Sequence, residues 1–263
     1  MGFRNNNVGY PNNLLNSRSI IKKGEYALIT PDGMVNNIIP NFTNCNTTIL
    51  SSPKLGASFV DYLVDFLPCG KFENFGGYGV ESFLFIIEGS AKATIQDENF
   101  SLESGSYIYC PANSTLSVEN TSSEITKSFL YKRRYIPAPN LEIPPIVHNN
   151  ISNLEPVYYE GMDNLKFYNL LPANENLSFD MNFHILSFEQ SASHGYIETH
   201  IQEHGAYILS GEGMYNLGGN WIPVKKDDYI FMGAYTLQGA YAIGNNLPFS
   251  YVYSKDCNRD VII

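Results

Sequence analysis

The sequence predicts an all-β chain with few short helices, built as a tandem duplication of one sandwich or barrel domain. Two observations predict it. Short runs of β-branched and aromatic residues recur throughout, ESFLFIIEG, SYIYCP, MNFHILSF, HGAYILSG, DDYIFMG and FSYVYSKD among them, separated by Gly, Asn, Asp and Pro. That spacing marks an all-β sandwich or barrel. A shift of 122 residues then lays Glu81–Gly89 on Glu203–Gly211 and Gly105–Pro111 on Asp227–Gly233. Two offsets that agree mark an internal repeat.

The linker between the repeats is the Pro-rich stretch Tyr135–Pro145, where missing amide donors and a fixed φ disfavour sheet and helix. The division that follows is an N-terminal domain over residues 1–140, N-terminal extension included, and a C-terminal domain over residues 141–263. No stretch sustains a 3.6-residue period for long; the best short helices lie near Asn12–Ser17 and Phe59–Asp65.

Composition sets the outer bounds. A length of 263 residues suits two domains, and 44% hydrophobic with 14% aromatic residues fills a sizeable core, which excludes a disordered chain. The net charge is −10 and the densest basic run is Lys132-Arg133-Arg134, too short to follow a phosphate backbone. Nucleic acid is excluded as a partner. Cys45, Cys69, Cys110 and Cys257 form no CxxC pair, so they read as reduced thiols in a cytoplasmic protein. The first 19 residues lack the charged-then-apolar order of a signal peptide, and no apolar run approaches a membrane span. Met1-Gly2 gives little support for myristoylation, since Asn6 stands where that signal prefers Ser or Thr.

The chemistry concentrates in Ile197–Gly205. Glu198 and His200 are two residues apart, so on a strand both leave by the same face. His204 follows after enough chain to turn into the next strand, and Gln238 ends a segment that turns back toward the same centre. This spacing resembles the two cupin motifs, although Glu, His, His and Gln stand where His, His, Glu and His are usual. The same four columns 122 residues upstream hold Gly76, Tyr78, Ser82 and Leu116, so the polar set belongs to the second repeat alone. One carboxylate, two imidazoles and an amide suit Mn, Fe(II), Co, Ni or Zn, and the lack of thiolate argues against a structural zinc site.

Around this set, Tyr251, Tyr253 and Lys255 share one face of a last strand by its two-residue period. If that face is the lumen, a carboxylate substrate is the natural partner for Lys255. Tyr215, past the Gly211-Glu212-Gly213 hairpin, reads either as a further ligand contact or as a core tyrosine. His184 and His194 have no partner at ligand spacing and read as structural, and His148 as an exposed linker residue. Gln202 and Glu203 adjoin the ligands as outer supports at best. The Lys132–Arg134 triplet is expected to make interdomain or subunit salt bridges. No GxGxxG, Walker or GxSxG motif occurs.

The whole chain resembles the (S)-ureidoglycine aminohydrolase family, bicupins of purine and allantoin degradation. The resemblance runs through LITPDGMVNNIIPNF, LSSPKLGASFVDYLV, FLYKRRYIP, YYEGMD, SHGYIETHIQEHGAYILSGEG, NWIPVKKDDYIFMGAY and YSKDCNRD. It implies a tandem cupin of two double-stranded β-helix jelly-roll barrels and one Mn(2+) per chain, held in the C-terminal domain by residues matching Glu198, His200, His204 and Gln238. It also implies hydrolysis of (S)-ureidoglycine to (S)-ureidoglycolate and ammonia, with substrate contacts at Glu198, Tyr215, Tyr251 and Lys255, and a homo-oligomer. Glu198 and Lys255 are the candidates for proton transfer. Asp227 departs from the family, which favours glycine there. Two competing readings are an iron cupin dioxygenase acting on a small carboxylate and a non-catalytic small-molecule-binding bicupin.

Overall fold

The computed structural model describes residues 17–244, 247–261 and 263. The Met1-Gly2 terminus and, but for Ser17, the helix expected over Asn12–Ser17 lie outside these residues. Helix among the described residues is confined to single 3₁₀ turns at Pro31–Gly33, Ile151–Asn153 and Tyr159–Gly161.

The N-terminal repeat supplies β3 (Phe42–Ser51), β4 (Phe59–Gly76), β5 (Val80–Glu88), β6 (Ser90–Ile95), β7 (Glu98–Glu103), β8 (Ser106–Cys110), β9 (Thr115–Glu119) and β10 (Thr126–Arg134). The C-terminal repeat supplies β12 (Val157–Tyr158), β13 (Leu165–Asn169), β14 (Met181–Phe188), β15 (His204–Ser210), β16 (Glu212–Leu217), β17 (Asn220–Lys225), β18 (Tyr229–Met232), β19 (Gln238–Ala242) and β20 (Phe249–Asp256). Two hairpins align residue for residue at the 122-residue shift: β6–β7 turns on Gln96 and Asp97 (φ 48° and 68°), β16–β17 on Gly218 and Gly219 (φ 60° and 87°). Positive φ at both central positions is what a tight two-residue hairpin demands.

Strand β4 corrects one expectation. Phe59–Asp65 is no helix but the start of this long strand, paired to β10 on one side and β3 on the other. Its apolar residues face packed neighbours on both sides of the sheet, so their spacing mimics a helical period without one.

Two short strands cross between the repeats. β2 (Tyr26–Ile29), extended outward by β1 (Ile20–Lys22), pairs with β18 in the C-terminal sheet. β11 (Val147–Asn150), beyond the Pro-rich stretch, pairs with β8 in the N-terminal sheet. The sheet orders β11-β8-β5-β10-β4 and β2-β18-β15-β20-β14 therefore correspond. His148, expected in the linker, is an exposed residue of β11 with its ring on Phe100.

Each repeat has an apolar interior, and a third, aromatic cluster joins them. In it Phe83 stacks on Phe183 at 3.8 Å. Lys127 bridges the repeats by donating to Asp227 Oδ1 at 2.5 Å. Asp227 has φ 74°, matching Gly105 at 83° in the first repeat. Aspartate tolerates this left-handed region better than most side chains, and here its carboxylate gains a partner in return. The closest contacts of the basic triplet lie within its own repeat: Arg133 Nε is 3.9 Å from Glu81, Arg134 donates to the Tyr78 carbonyl, and Lys132 covers the rings of Tyr62 and Phe75; Arg133 also feels the charges of Asp180 and Asp256 in the C-terminal repeat. The ion pairs within 4 Å that cross between the repeats include Lys127–Asp227 and Lys226–Glu88.

Asp61 lies fully buried in this interface, accepting a hydrogen bond from the Tyr229 hydroxyl at 2.6 Å. Burial pushes its carboxyl up to about 8. A folded-state value raised above the ordinary one near 4 gives stability that is complete below about pH 4 and is lost as pH rises through about 8. Asp61→Asn, which keeps the bond without the charge, is expected to be the more stable protein at pH 9 by roughly 2 kcal/mol or more, and nearly neutral at about pH 4. Urea unfolding at the two pH values measures this; an equal difference at both would contradict it.

Candidate metal and substrate site

In the first repeat β4 runs unbroken into its pairing with β9. Its counterpart in the second repeat stops at Phe188, and the chain from there to His204 touches β19 only through isolated bridges at Ser193–Tyr241 and Glu198–Gln238. Glu198 and His200 thus lie on an irregular segment, not the regular strand their spacing suggested. The Glu198–Gln238 bridge, with backbone hydrogen bonds of 2.9 and 3.0 Å, still fixes the segment. Freed from continuous pairing, it carries His194 where β4 carries the core residue Phe72.

His200, His204 and Gln238 converge. His204 Nε2 lies 3.3 Å from His200 Nε2, and the Gln238 amide lies 2.6 Å from the same His200 atom. Each imidazole has its Nδ1 on a backbone carbonyl, Gln202 at 3.1 Å and Ser254 at 2.7 Å. A carbonyl only accepts, so both Nδ1 atoms carry the proton and both Nε2 lone pairs face the same point. Burial lowers the pKa of both rings, His204 the further, with Lys255 adding to the effect at His200 and the His200 ring at His204. Two lone pairs facing each other in a dry place are what a cation would reconcile. The amide nitrogen and oxygen of Gln238 exchange by a half-turn of its side chain, which would present the oxygen.

Glu198 lines the same cavity, its carboxylate 3.9 Å from His194 Nε2. Among the described residues no three His, Cys, Asp or Glu side chains form a metal cluster; the tight set is two imidazoles and one amide. Gln202 supports it through its carbonyl, whereas Glu203 turns away and accepts from the Ser58 amide at 2.8 Å.

The cavity, about 100 Å³, brings Tyr215, Tyr251, Tyr253 and Lys255 to the same space as Glu198, His200, His204 and Gln238. Tyr215 and Tyr251 rings are 5.7 Å apart, and burial raises both phenols so that they stay protonated. Lys255 is half-buried and, among the described residues, has no carboxylate within ion-pair distance. His184 and His194, read from sequence as structural, also line the cavity, as does Tyr159. His184 reaches the cavity from β14, a distant part of the chain, so ligand spacing carries no signal for it; His194 lies on the same segment four residues before Glu198. The two-residue period of MNFHILSF, which sets His184 and Leu186 on one face beside the Tyr251–Lys255 strand, was the available clue.

The exchanged-strand topology, the paired barrels and a polar cavity in the C-terminal one define a bicupin. No family model matches the chain. It is 56% identical over 264 residues to (S)-ureidoglycine aminohydrolase of Escherichia coli (strain K12), covering 100% of both chains. The crystal structure of protein Ylba from E. coli superposes with a TM-score of 0.86 at 54% identity, covering 97% of this chain and 100% of that one. An oxalate decarboxylase structure shares the fold, with a TM-score of 0.70 at 12% identity over 97% of this chain and 86% of that one. The chain belongs to the (S)-ureidoglycine aminohydrolase family.

Proposed function

We propose that this chain hydrolyses (S)-ureidoglycine to (S)-ureidoglycolate and ammonia, with one Mn(II) held by Glu198, His200, His204 and Gln238. The observation that carries the reading is the pair of Nε2 lone pairs converging beside Gln238 in a cavity that also holds a cation without a carboxylate partner. Full-length identity to a relative of that name supports the substrate. A bound divalent cation supplies positive charge that polarises the groups it touches and orients them.

The residues divide the remaining work by their chemistry. Lys255 is the partner for the substrate carboxylate, since a half-buried ammonium gains most from a fixed anion. The Tyr215 and Tyr251 hydroxyls, kept protonated by burial, orient the substrate by hydrogen bonds. Water adds at the substrate's central carbon and loses a proton, and the amine leaves with its bonding pair and takes one up. Glu198 is the one carboxylate among the cavity-lining residues and accepts the first; Lys255 is the one ammonium there and supplies the second. The small enclosed volume keeps bulk water from an unstable amine-bearing carbon.

We further propose the two-unit division near residue 140, a cytoplasmic setting and a homo-oligomer. The cysteines are free of disulfides and no helix of the described residues is long and apolar enough to cross a membrane. Exposed Tyr196, Ile197, Tyr235 and Leu237 beside the cavity segment suit an apolar contact between copies. A monomer mass in light scattering would refute the oligomer.

The decisive assay is ammonia release from freshly generated (S)-ureidoglycine. Metal-stripped protein is expected to be inactive, Mn(II) to restore stereospecific product, and Glu198→Ala to stay inactive with the ion added. Metal binding without turnover would preserve the site and remove the substrate; oxygen uptake with added Fe(II) would favour a dioxygenase.

A further inference from the structure

We propose that His184 is a specificity-determining residue that recognises the neutral ureido group of the substrate; this rests on the substrate assigned above. His184 lies on β14 opposite Tyr253 of β20, one pleat from Leu186, and all three line the cavity. Its ring is 6% exposed and is wedged between Phe167, at 4.6 Å between centroids, and Tyr253, at 5.2 Å. Those flanking rings restrict its rotation. Its Nδ1 is buried with no hydrogen-bond partner.

A buried polar atom left without a partner costs about 1 to 3 kcal/mol. Such an atom in a native fold calls for an explanation, and the cavity is the space from which a partner can come. Burial first, and Lys255 second, hold the imidazole neutral, pushing it down to about 3. A neutral imidazole offers one N–H and one lone pair, which complements a planar urea-type amide that both donates and accepts. It is poorly suited to a carboxylate, for which the cavity already has Lys255. The corresponding position in the first repeat, 122 residues upstream, is Tyr62. Its ring lies beneath the Lys132 ammonium at 5.6 Å, so the repeat without the polar set has an aromatic there.

The test uses Mn(II)-loaded protein and two stable ligands, (S)-ureidoglycolate and glycolate, which share a hydroxy acid and differ by the ureido group. Calorimetric titration is expected to show the parent protein favouring (S)-ureidoglycolate by about tenfold or more, the scale of one well-made buried hydrogen bond. His184→Phe keeps the stacked ring and removes both nitrogens. It is expected to bind glycolate as the parent does and to lose the preference to within about threefold, with KM for (S)-ureidoglycine raised more than kcat is lowered. His184→Gln, which retains a donor and an acceptor, is expected to recover part of it. A preference that survives in His184→Phe, or an equal loss toward both ligands, overturns the assignment while leaving the substrate intact. Failure of the parent to bind (S)-ureidoglycolate at all would instead remove the substrate reading beneath it.

Discussion

Gln238→Leu protein is expected to melt close to the parent temperature and yet to bind Mn(II) at least about 100-fold more weakly. The first repeat has already tested leucine at this place in the fold. Leu116 pairs with Ile95 as Gln238 pairs with Leu217, and both members of each pair are buried. The backbone there accommodates a leucine without strain, and the substitution leaves no buried amide unpaired. What disappears is the third donor beside the two imidazoles. Loss of groups that merely orient a metal ligand costs about 10 to 100-fold in affinity, so loss of a ligand is expected to exceed that range, with turnover falling in parallel. Titration of Mn(II) by calorimetry, beside a thermal melt, reads the two quantities separately. Unchanged affinity would remove Gln238 from the ligand set, and a collapsed melt would mean that the repeats differ here in more than one side chain.

The second large effect is expected at Gly205, the residue after His204. A Cβ built on Gly205 would strike Asp61 Oδ2 and come within 2.6 Å of the Tyr229 hydroxyl and 2.9 Å of Phe59 Cε2. These are the two halves of the buried hydrogen bond between the repeats. A methyl group inserted between them overpacks a dry interface, at about 1 to 3 kcal/mol, and parts a buried polar pair, at about 1 to 3 kcal/mol more. Gly205→Ala is therefore expected to lose roughly 2 to 6 kcal/mol in urea unfolding and to weaken metal binding through the adjacent His204. Combining it with Asp61→Ala removes the first clash, so the two costs are expected to fall short of additivity by about 1 kcal/mol or more. Strict additivity would show that the backbone of β15 simply moves aside.

The duplication was legible because its signals are local. Strand lengths and turn positions repeat at a fixed interval, and Gly89 and Gly211 (φ 90° and 71°) each mark the same turn. The polar set was legible because its absence from the first repeat isolates it. Other features depend on contacts between distant segments, to which local patterns are blind. Tyr26–Ile29 and Val147–Asn150 gain their identity as strands from the exposed edges of β18 and β8 that they cover. Phe59–Asp65 looked helical because both faces of β4 are covered. His184 looked structural because the period of MNFHILSF gives its face but not that this face lines the cavity, and the break between Phe188 and His204 has no counterpart in the first repeat to predict it.

The two exchanged strands fasten the repeats to one another like a pair of hooks. A cut near residue 140 would strip β18 of its cover in one fragment and β8 in the other, since each covering strand lies on the wrong side of the cut. Both fragments would then present bare backbone donors and acceptors, the condition under which sheets recruit foreign strands. Selection on either barrel therefore falls on both, which gives the repeat without a polar set a reason to persist: it supplies an edge, and half of an interface, that its sibling cannot make for itself.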